Sequence, residues 1–517
     1  MLHRLLCGNR GRKSFVTGLV ACLVILVAGV SPASAQGTNA EQKTSKYFES
    51  ARRQPSLLLD FLHRMPKGGD LHNHLSGAVY AESFIRWAAQ DGLCVDRETT
   101  VLSPPPCDPE KNRPPAAAAF QDAGLYARML DAYSMRGWLP ARESGHDHFF
   151  ATFGKFGAAT STHTADMLAE VRSRAAGENL QYLELMFNPD GGQAARLGFQ
   201  LGWNDDLGKM RERLLSGGLR EIVAEASRSL DKIEAAEQQQ LRCSAAQPDP
   251  GCGVQARYLY QVARGLAREA VFAQILAGFE MAAKDPRVVG LNLVMAEDWY
   301  VPIHDFNLHM QILNYLHELY PKVHITLHAG ELTLQLAPPE ELFHIRASIE
   351  QGHAERIGHG VDVMYEPAPA GLLREMAKRK VMVEVCLTSN DVILGVSGER
   401  HPLPVYMRYG VPVALATDDA GVSRSTMTLE YQRAAETYSL KYVDLKRMAR
   451  TSIAYSFLPG DSLWVEVARG KKAGACAGDK PGAKTPSAKC DRLLSTSEKA
   501  RSEWELEKAF AQFESSF

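Results

Sequence analysis

Four short stretches of the chain carry side chains able to bind a metal ion or move a proton. His72-Asn73-His74 sets two imidazoles two residues apart, and on a strand both project to the same side. His328-Ala329-Gly330-Glu331 closes a run in which Ile325 and Leu327 alternate with Thr326 and His328, the period of a strand. Gly358-His359-Gly360 holds a histidine between two glycines, and Asp418-Asp419 follows Ala416-Thr417. Three histidines and a carboxylate form an N/O donor set suited to zinc. His72, His74, His328 and Asp418 are therefore the candidate ligands of one zinc ion per chain. Zinc lowers the pKa of a bound water to about 7. His359 is then available to orient that water or to take its proton. Glu331 is available to protonate a ring nitrogen of a substrate. If the backbone alternates at Asp418-Asp419, Asp419 cannot share the metal and instead grips the substrate or holds the hydroxide.

These residues need elements that bring them to one place. Eight strands alternate with helices from Asp70 onward. The strand patterns are Asp70–Leu75, Leu180–Phe187, Gln255–Val262, Val288–Met295, His324–His328, Arg356–Gly360, Val381–Leu387 and Pro412–Thr417. Eight βα repeats predict an α/β fold, a parallel (β/α)8 TIM barrel with loop insertions and extra terminal helices. Such a barrel places its chemistry at the C-terminal strand ends, where all four stretches fall. A doubly wound open sheet is the alternative, but no Gly-rich turn follows the first strand. Helical spacing also marks Tyr47–Met65, Ala81–Gln90, Ala116–Met135, Leu207–Gln240, Thr428–Phe457 and Glu498–Phe513. Phe149, Phe150, Phe153 and Phe156 recur at helical spacing, which fits either core packing or a helix covering an apolar pocket. The segments 92–115 and 460–496 read as loop, and His324 reads as structural.

The compartment is legible too. Arg4, Arg10, Arg12 and Lys13 precede an apolar run, Phe15–Val30, and the small residues Ala33-Ser34-Ala35. This is the pattern of a signal peptide over residues 1–35, with export to the periplasm or outside and no membrane anchor after cleavage. The run is short for a span of about 20 residues. Residues 36–45 are polar and expected to be disordered, leaving 46–517 as a single barrel domain. Removing residues 1–35 takes away four basic residues and no acidic one, so the net charge falls from −2 to −6. That excludes the basic face of a nucleic-acid binder. Seven cysteines remain. Cys94/Cys107, Cys243/Cys252 and Cys476/Cys490 each bracket a polar loop, as disulfides of an exported protein would. Cys386 is left over in an apolar run.

The motifs also resemble a known family. Met65-Pro-Lys-Gly-Gly-Asp-Leu-His-Asn-His-Leu-Ser-Gly-Ala78, His328-Ala-Gly-Glu331, Arg356-Ile-Gly-His-Gly360, Leu387-Thr-Ser-Asn390 and Thr417-Asp-Asp419 are similar to those of adenosine deaminases of the amidohydrolase superfamily. Tyr182-Leu-Glu-Leu and Ser456-Phe-Leu-Pro459 are further landmarks. The signal peptide and cysteine-closed loops resemble the secreted branch, the adenosine deaminase-related growth factors. The resemblance implies zinc-dependent hydrolysis of adenosine, and of 2′-deoxyadenosine, to the inosine product and ammonia. It implies that the match to Glu331 protonates purine N1, that the match to His359 assists attack at C6, and that the match to Asp419 hydrogen-bonds N7. The partner is then a small purine nucleoside, with a homodimer possible. Three positions depart from the family pattern: Ser76 stands where many members have an Asp that reaches the ribose, Met295 lies near a frequent Gly whose backbone meets purine N3, and Leu387 replaces a Pro. Ser76 and Met295 therefore join Glu331 and Asp419 as substrate-binding candidates. Another aminopurine, such as adenine or a modified adenosine, is the alternative substrate. A non-catalytic adenosine-binding or signalling protein would be expected to lack Glu331, His359 or a ligand, and all are present.

Overall fold

The alternating patterns resolve into eight parallel strands in a computed structural model that describes residues 38–517. The expected signal peptide lies outside the described residues. The barrel strands are β1 Gly68–His74, β2 Leu180–Phe187, β3 Gln255–Ala263, β4 Val288–Val294, β5 His324–Ala329, β6 Arg356–His359, β7 Met382–Val385 and β8 Val413–Leu415. Each pairs in parallel with the next in chain order. The ring closes through a parallel bridge between Asn73 and Asp418. There the Asp418 N–H donates to His72 O (2.9 Å) and the His74 N–H to Asp418 O (3.2 Å). Asp70 adds a side-chain clasp, accepting from Thr417 Oγ1 (2.5 Å) and Asn73 Nδ2 (3.1 Å). The fold is a (β/α)8 barrel, and its closure excludes the open sheet.

Strand periodicity sorts the side chains. On β5, Ile325 and Leu327 join the buried apolar core, while Thr326 and His328 take the other face and bind polar groups, as a period of 2 requires. The barrel interior is charged at mid-height. Arg356 on β6 pairs with Glu184 on β2 (2.5 Å) and Glu384 on β7 (2.6 Å), and its guanidinium lies 3.8 Å from the Phe457 ring centroid. Buried charges need such partners, and this layer lies beneath the strand ends that carry the site.

Several expectations need correction. Residues 36–45, expected to be disordered, are helical from Asn39 to Ala51 where described. Thr38 Oγ1 caps this helix by accepting from the Glu41 N–H (3.1 Å), Phe48 is fully buried, and Glu41 pairs with Lys446 (2.8 Å). Tertiary burial thus overrides a polar composition. The expected Tyr47–Met65 helix is broken before Pro55, which opens a second helix, Pro55–Arg64, because proline suits a first turn and not an interior. Leu207–Gln240 kinks at Gly218, where φ is 118°. The 92–115 loop contains a small hairpin, Cys94–Val95 with Leu102–Ser103, and the 460–496 segment another, Trp464–Glu466 with Lys471–Lys472. The disulfides Cys94–Cys107, Cys243–Cys252 and Cys476–Cys490 are formed, and Cys386 is free and buried. Among the described residues no helix is long and apolar enough to cross a membrane.

Candidate active site

The C-terminal ends of β1, β5 and β8 bring four donor atoms together. His328 Nε2 lies 3.0 Å from His72 Nε2 and 3.2 Å from His74 Nε2. Asp418 Oδ1 lies 3.5 Å and 3.3 Å from those same two nitrogens. Asp418 Oδ1 is buried without a hydrogen-bond partner among the described residues, while Oδ2 accepts from Ser389 Oγ (2.5 Å). The tautomers follow from the outer partners. His72 Nδ1 faces Glu384 Oε2 (2.6 Å), His328 Nδ1 faces Asn292 Oδ1 (2.9 Å), and His74 Nδ1 faces Gln261 Oε1 (3.3 Å). Each Nδ1 therefore carries the proton, and each Nε2 presents a lone pair inward. Burial, and then the neighbouring His72, His359 and His74, hold His328 well below the usual imidazole range. Three lone pairs and an orphaned carboxylate oxygen fit a divalent cation.

His359 differs from these three, although it lies within 4.8 Å of His72, His328 and Asp418. The Leu403 N–H donates to His401 Nδ1 (3.1 Å), so His401 donates from Nε2 to Asn390 Oδ1 (3.1 Å). Asn390 Nδ2 in turn donates to His359 Nδ1 (3.0 Å). A neutral His359 therefore carries its proton on Nε2, the reverse of the ligand tautomer. Burial holds its pKa down at about 3, so the ring is neutral. The chain of bonds makes it a proton donor beside the cluster and not a fourth imidazole ligand.

The two acids beside the cluster are pushed the other way. Burial, and then the Asp418 and Glu297 carboxylates, raise Glu331 well above the usual carboxyl range. Burial and Asp418 likewise raise Asp419. Glu331 is thus biased toward the protonated acid, with Oε1 unpartnered among the described residues and 3.6 Å from His359 Nδ1. Its corner is held by Glu297, which accepts from the Gly330 N–H (3.1 Å) and the Glu331 N–H (2.8 Å). Arg264 ties two strand ends by donating to His328 O (3.0 Å) and Met295 O (3.1 Å).

Local backbone strain marks the same residues. Met295, His359 and Asp418 adopt φ of 84°, 67° and 57°, a region that side chains beyond glycine rarely occupy and that gathers at functional sites. Two glycines are steric requirements. A Cβ on Gly358 would stand 2.5 Å from His72 Cε1, and one on Gly77 would stand 1.4 Å from Asp419 Oδ1.

Above the cluster lies a cavity of about 230 Å³ lined by His74, His328, Glu331, Asp418, Asp419 and Gln261, with Phe149, Phe150, Phe153, Val294, Met295 and Trp299. Both readings of the phenylalanine run hold in part. Phe149, Phe150 and Phe153 face the cavity, whereas Phe156 stacks on Phe84 at 4.4 Å in the core. Met295 is in the wall. Ser76 is half-buried on the short helix Leu75–Ala78 and is not a wall residue. A larger cavity of about 480 Å³, between Lys322, Glu355 and Lys499, opens at the opposite end of the barrel and touches none of these groups.

The adenosine deaminase family model matches residues 143–464, well over half of the chain. The chain belongs to the adenosine deaminase family. Among its relatives, an adenosine deaminase of Pectobacterium atrosepticum is 35% identical over 136 residues, 26% of this chain and 37% of that protein. An aminodeoxyfutalosine deaminase of Streptomyces coelicolor is 34% identical over 137 residues, 26% of this chain and 33% of that protein. The matched stretch thus spans well under two thirds of these relatives. In fold, the chain resembles the N6-methyl-AMP deaminase of Arabidopsis thaliana (TM-score 0.50, 21% identity, 78% of this chain and 94% of that one). It also resembles an adenine deaminase of Arthrobacter aurescens (TM-score 0.50, 17% identity, 76% and 94%).

The match to the adenosine deaminase family begins after β1, so His72 and His74 lie ahead of it and reach the cluster only through barrel closure. Sequence reasoning missed the outer partners Glu384, Asn292, Gln261, Arg264 and His401 of this deaminase-family site, and gave Asn390 only as part of a family motif, without a role. One signal was present. Glu384 is a lone carboxylate between Val383 and Val385 on an otherwise apolar strand, and a buried carboxylate needs a partner.

Proposed function

We propose that this protein is an exported, zinc-dependent deaminase that hydrolyses the exocyclic amine of adenosine-type nucleosides to a carbonyl and ammonia. The observation that carries the reading is the pairing of an inward-facing donor cluster, His72, His74, His328 and Asp418, with the buried Glu331 carboxyl on the same cavity wall. These four residues would hold zinc, which would supply a water of lowered pKa at neutral pH. The protein's own residues do the rest. Glu331 holds a proton for purine N1, which draws electron density from C6. The His359 imidazole, fixed by Asn390, manages a proton at Nε2. Asp419, pushed toward its protonated form by burial and by Asp418, donates a hydrogen bond to purine N7, which has a lone pair and no proton. Glu384, Asn292 and Gln261 hold the ligand rings so that little reorganisation accompanies the reaction.

Export is supported by the basic, apolar and small-residue succession of residues 1–35 and by three disulfides. The relatives' names share deamination but differ in substrate, so adenine or a modified adenosine is the second reading. The test is to incubate the purified mature protein with a panel of aminopurines and follow ammonia release, with and without a chelator. Release that stops on chelation and returns with zinc is expected. Release from none of the panel by zinc-loaded protein would sink the deaminase reading.

A further inference from the structure

The cavity at the N-terminal strand ends, opposite the metal cluster, is set apart by its charge. Residues 36–517 carry more acidic than basic side chains. Yet Lys322, Arg379, Lys380 and Lys499 line this cavity with a single carboxylate, Glu355. A solvated protein face ordinarily intersperses both signs. Glu355 is moreover engaged, with Oε1 2.7 Å from His324 Nδ1, and the His324 ring is stacked on Phe457 at 4.6 Å.

The cations divide into those with partners and those without. Arg356, also in the wall, is neutralised by Glu184 and Glu384 and donates to Tyr455 O (3.0 Å). Arg379 donates to Ile349 O (3.1 Å) and lies 3.4 Å from Glu375. The ammonium groups of Lys322, Lys380 and Lys499 have neither a hydrogen bond nor an ion pair among the described residues. Lys322 and Lys380 are exposed, as lysines usually are.

Lys499 is different. It is half-buried in the first turn of the helix Glu498–Glu514. The carboxylates that act on it are committed elsewhere: Glu355 to His324, Glu184 to Arg356, and Glu503 to Ser462 Oγ (2.6 Å) and the Leu463 N–H (2.5 Å). Burial prevails over them and holds its pKa below the usual ammonium range. The helix does not favour it there either, since a cation in a first turn opposes the helix dipole. A half-buried cation without a counterion is costly, and nothing in the packing repays that cost.

The space in front of these groups, about 480 Å³, lies in the size range of small-molecule pockets. It is much larger than a single inorganic phosphate. Lysines act as point charges, suited to a group that shares several charged oxygens among them. A phosphate monoester brings close to two charges and three strong acceptor oxygens. A carboxylate brings one charge and is matched best by a guanidinium fork.

We propose that the N-terminal face of the barrel holds a second binding site, built on Lys322, Lys380 and Lys499, for a soluble small molecule carrying two phosphate groups. The site rests on none of the deaminase chemistry.

Fructose 1,6-bisphosphate serves as the probe, with fructose and citrate as controls, titrated by calorimetry into the zinc-loaded mature protein at low ionic strength. The bisphosphate is expected to bind once per chain, citrate to bind about tenfold or more weakly, and fructose to give no heat. Lys499→Gln should weaken the bisphosphate by about 10–100-fold, the loss of one charge-assisted hydrogen bond. Because Lys499 is half-buried, the exposed pair Lys322→Glu with Lys380→Glu is the second variant. It reverses the charge of the rim without disturbing packing and should abolish binding. Absence of bisphosphate binding, or citrate binding as tightly, would overturn the proposal. So would binding that either folded variant leaves unchanged, which would place the anion at the metal cluster instead. Sedimentation of the protein with phosphatidylglycerol vesicles, without binding of the soluble bisphosphate, would assign the cations to a membrane surface and likewise overturn it.

Discussion

Glu331 and Asp418 are two buried carboxyl groups at one cavity wall, and their surroundings differ. Asp418 faces two imidazoles, whereas Glu331 faces burial and two other carboxylates. That split is how one site carries an acid and a metal ligand side by side. Glutamine keeps the shape of Glu331 but has no proton to give. Glu331→Gln is therefore expected to lower kcat by about 10²–10⁴-fold while zinc content, read by atomic absorption, stays near one per chain. Loss of zinc in that variant would show that Glu331 serves the metal instead. The pH sign follows from the direction of the shift. A raised pKa extends the protonated form of Glu331 to higher pH than an ordinary carboxyl, so kcat/KM should decline as pH rises through that pKa. At this scale much was legible in the sequence: His72, His74, His328, His359, Glu331, Asp418 and Asp419 gather at one mouth. Ser76 was less legible, because a helix starting at Leu75 turns it out of the wall.

At the scale of elements, the site depends on a relay that crosses three segments. His359 ends β6, Asn390 lies on the helix Leu387–Leu394, and His401 precedes the helix Leu403–Tyr409. The relay sets the His359 tautomer, and partners of this kind typically account for 10–100-fold in activity. His401→Ala should thus cost kcat about 10–100-fold with KM little changed. His401→Gln, which restores an N–H near the position of Nε2, should recover most of the loss. A loss confined to thermal stability, or no rescue by Gln, would reduce His401 to a packing residue. No spacing rule exposes this relay, since His401 follows an irregular turn and its partners come from other elements. The phenylalanine helix carries the same lesson. Helical spacing groups four rings, but which of them face the cavity depends on how the helix Gly145–Phe156 is rotated against the barrel.

At the scale of the molecule, the barrel draws on chain beyond the stretch matched to the family, which ends at residue 464. The last helix, Glu498–Glu514, buries Trp504, Leu506, Phe510 and Phe513. Glu507 of that helix pairs with Arg450 (2.5 Å), and Glu514 pairs with Lys446 (2.5 Å), which also holds Glu41 of the first described helix. Each large apolar side chain contributes about 1.5–3 kcal/mol on burial, against a total stability of about 5–15 kcal/mol. A chain truncated after Ser497 should therefore fail to accumulate as soluble protein, or melt far below the full chain by calorimetry. An unchanged melting temperature would show the helix to be dispensable. The barrel class was readable from eight strand patterns separated by helices, while the terminal packing was not. The polar segment at 39–45 is ordered by contacts more than 400 residues away in sequence, as in the Glu41–Lys446 pair.

The sequence by itself determined the barrel, the donor types and the strand ends that carry them, because strand periodicity and residue chemistry are local properties. The tertiary structure decided which nitrogen of each histidine faces inward, which carboxyl is pushed toward its protonated form and how apolar the mouth is. Those depend on Glu384, Asn292, Gln261, Asn390, Trp299 and Asp418 approaching from other strands and helices. Hydrogen bonding, burial and charge proximity are set by through-space neighbours, and closure of the ring between Asn73 and Asp418 makes those neighbours meet.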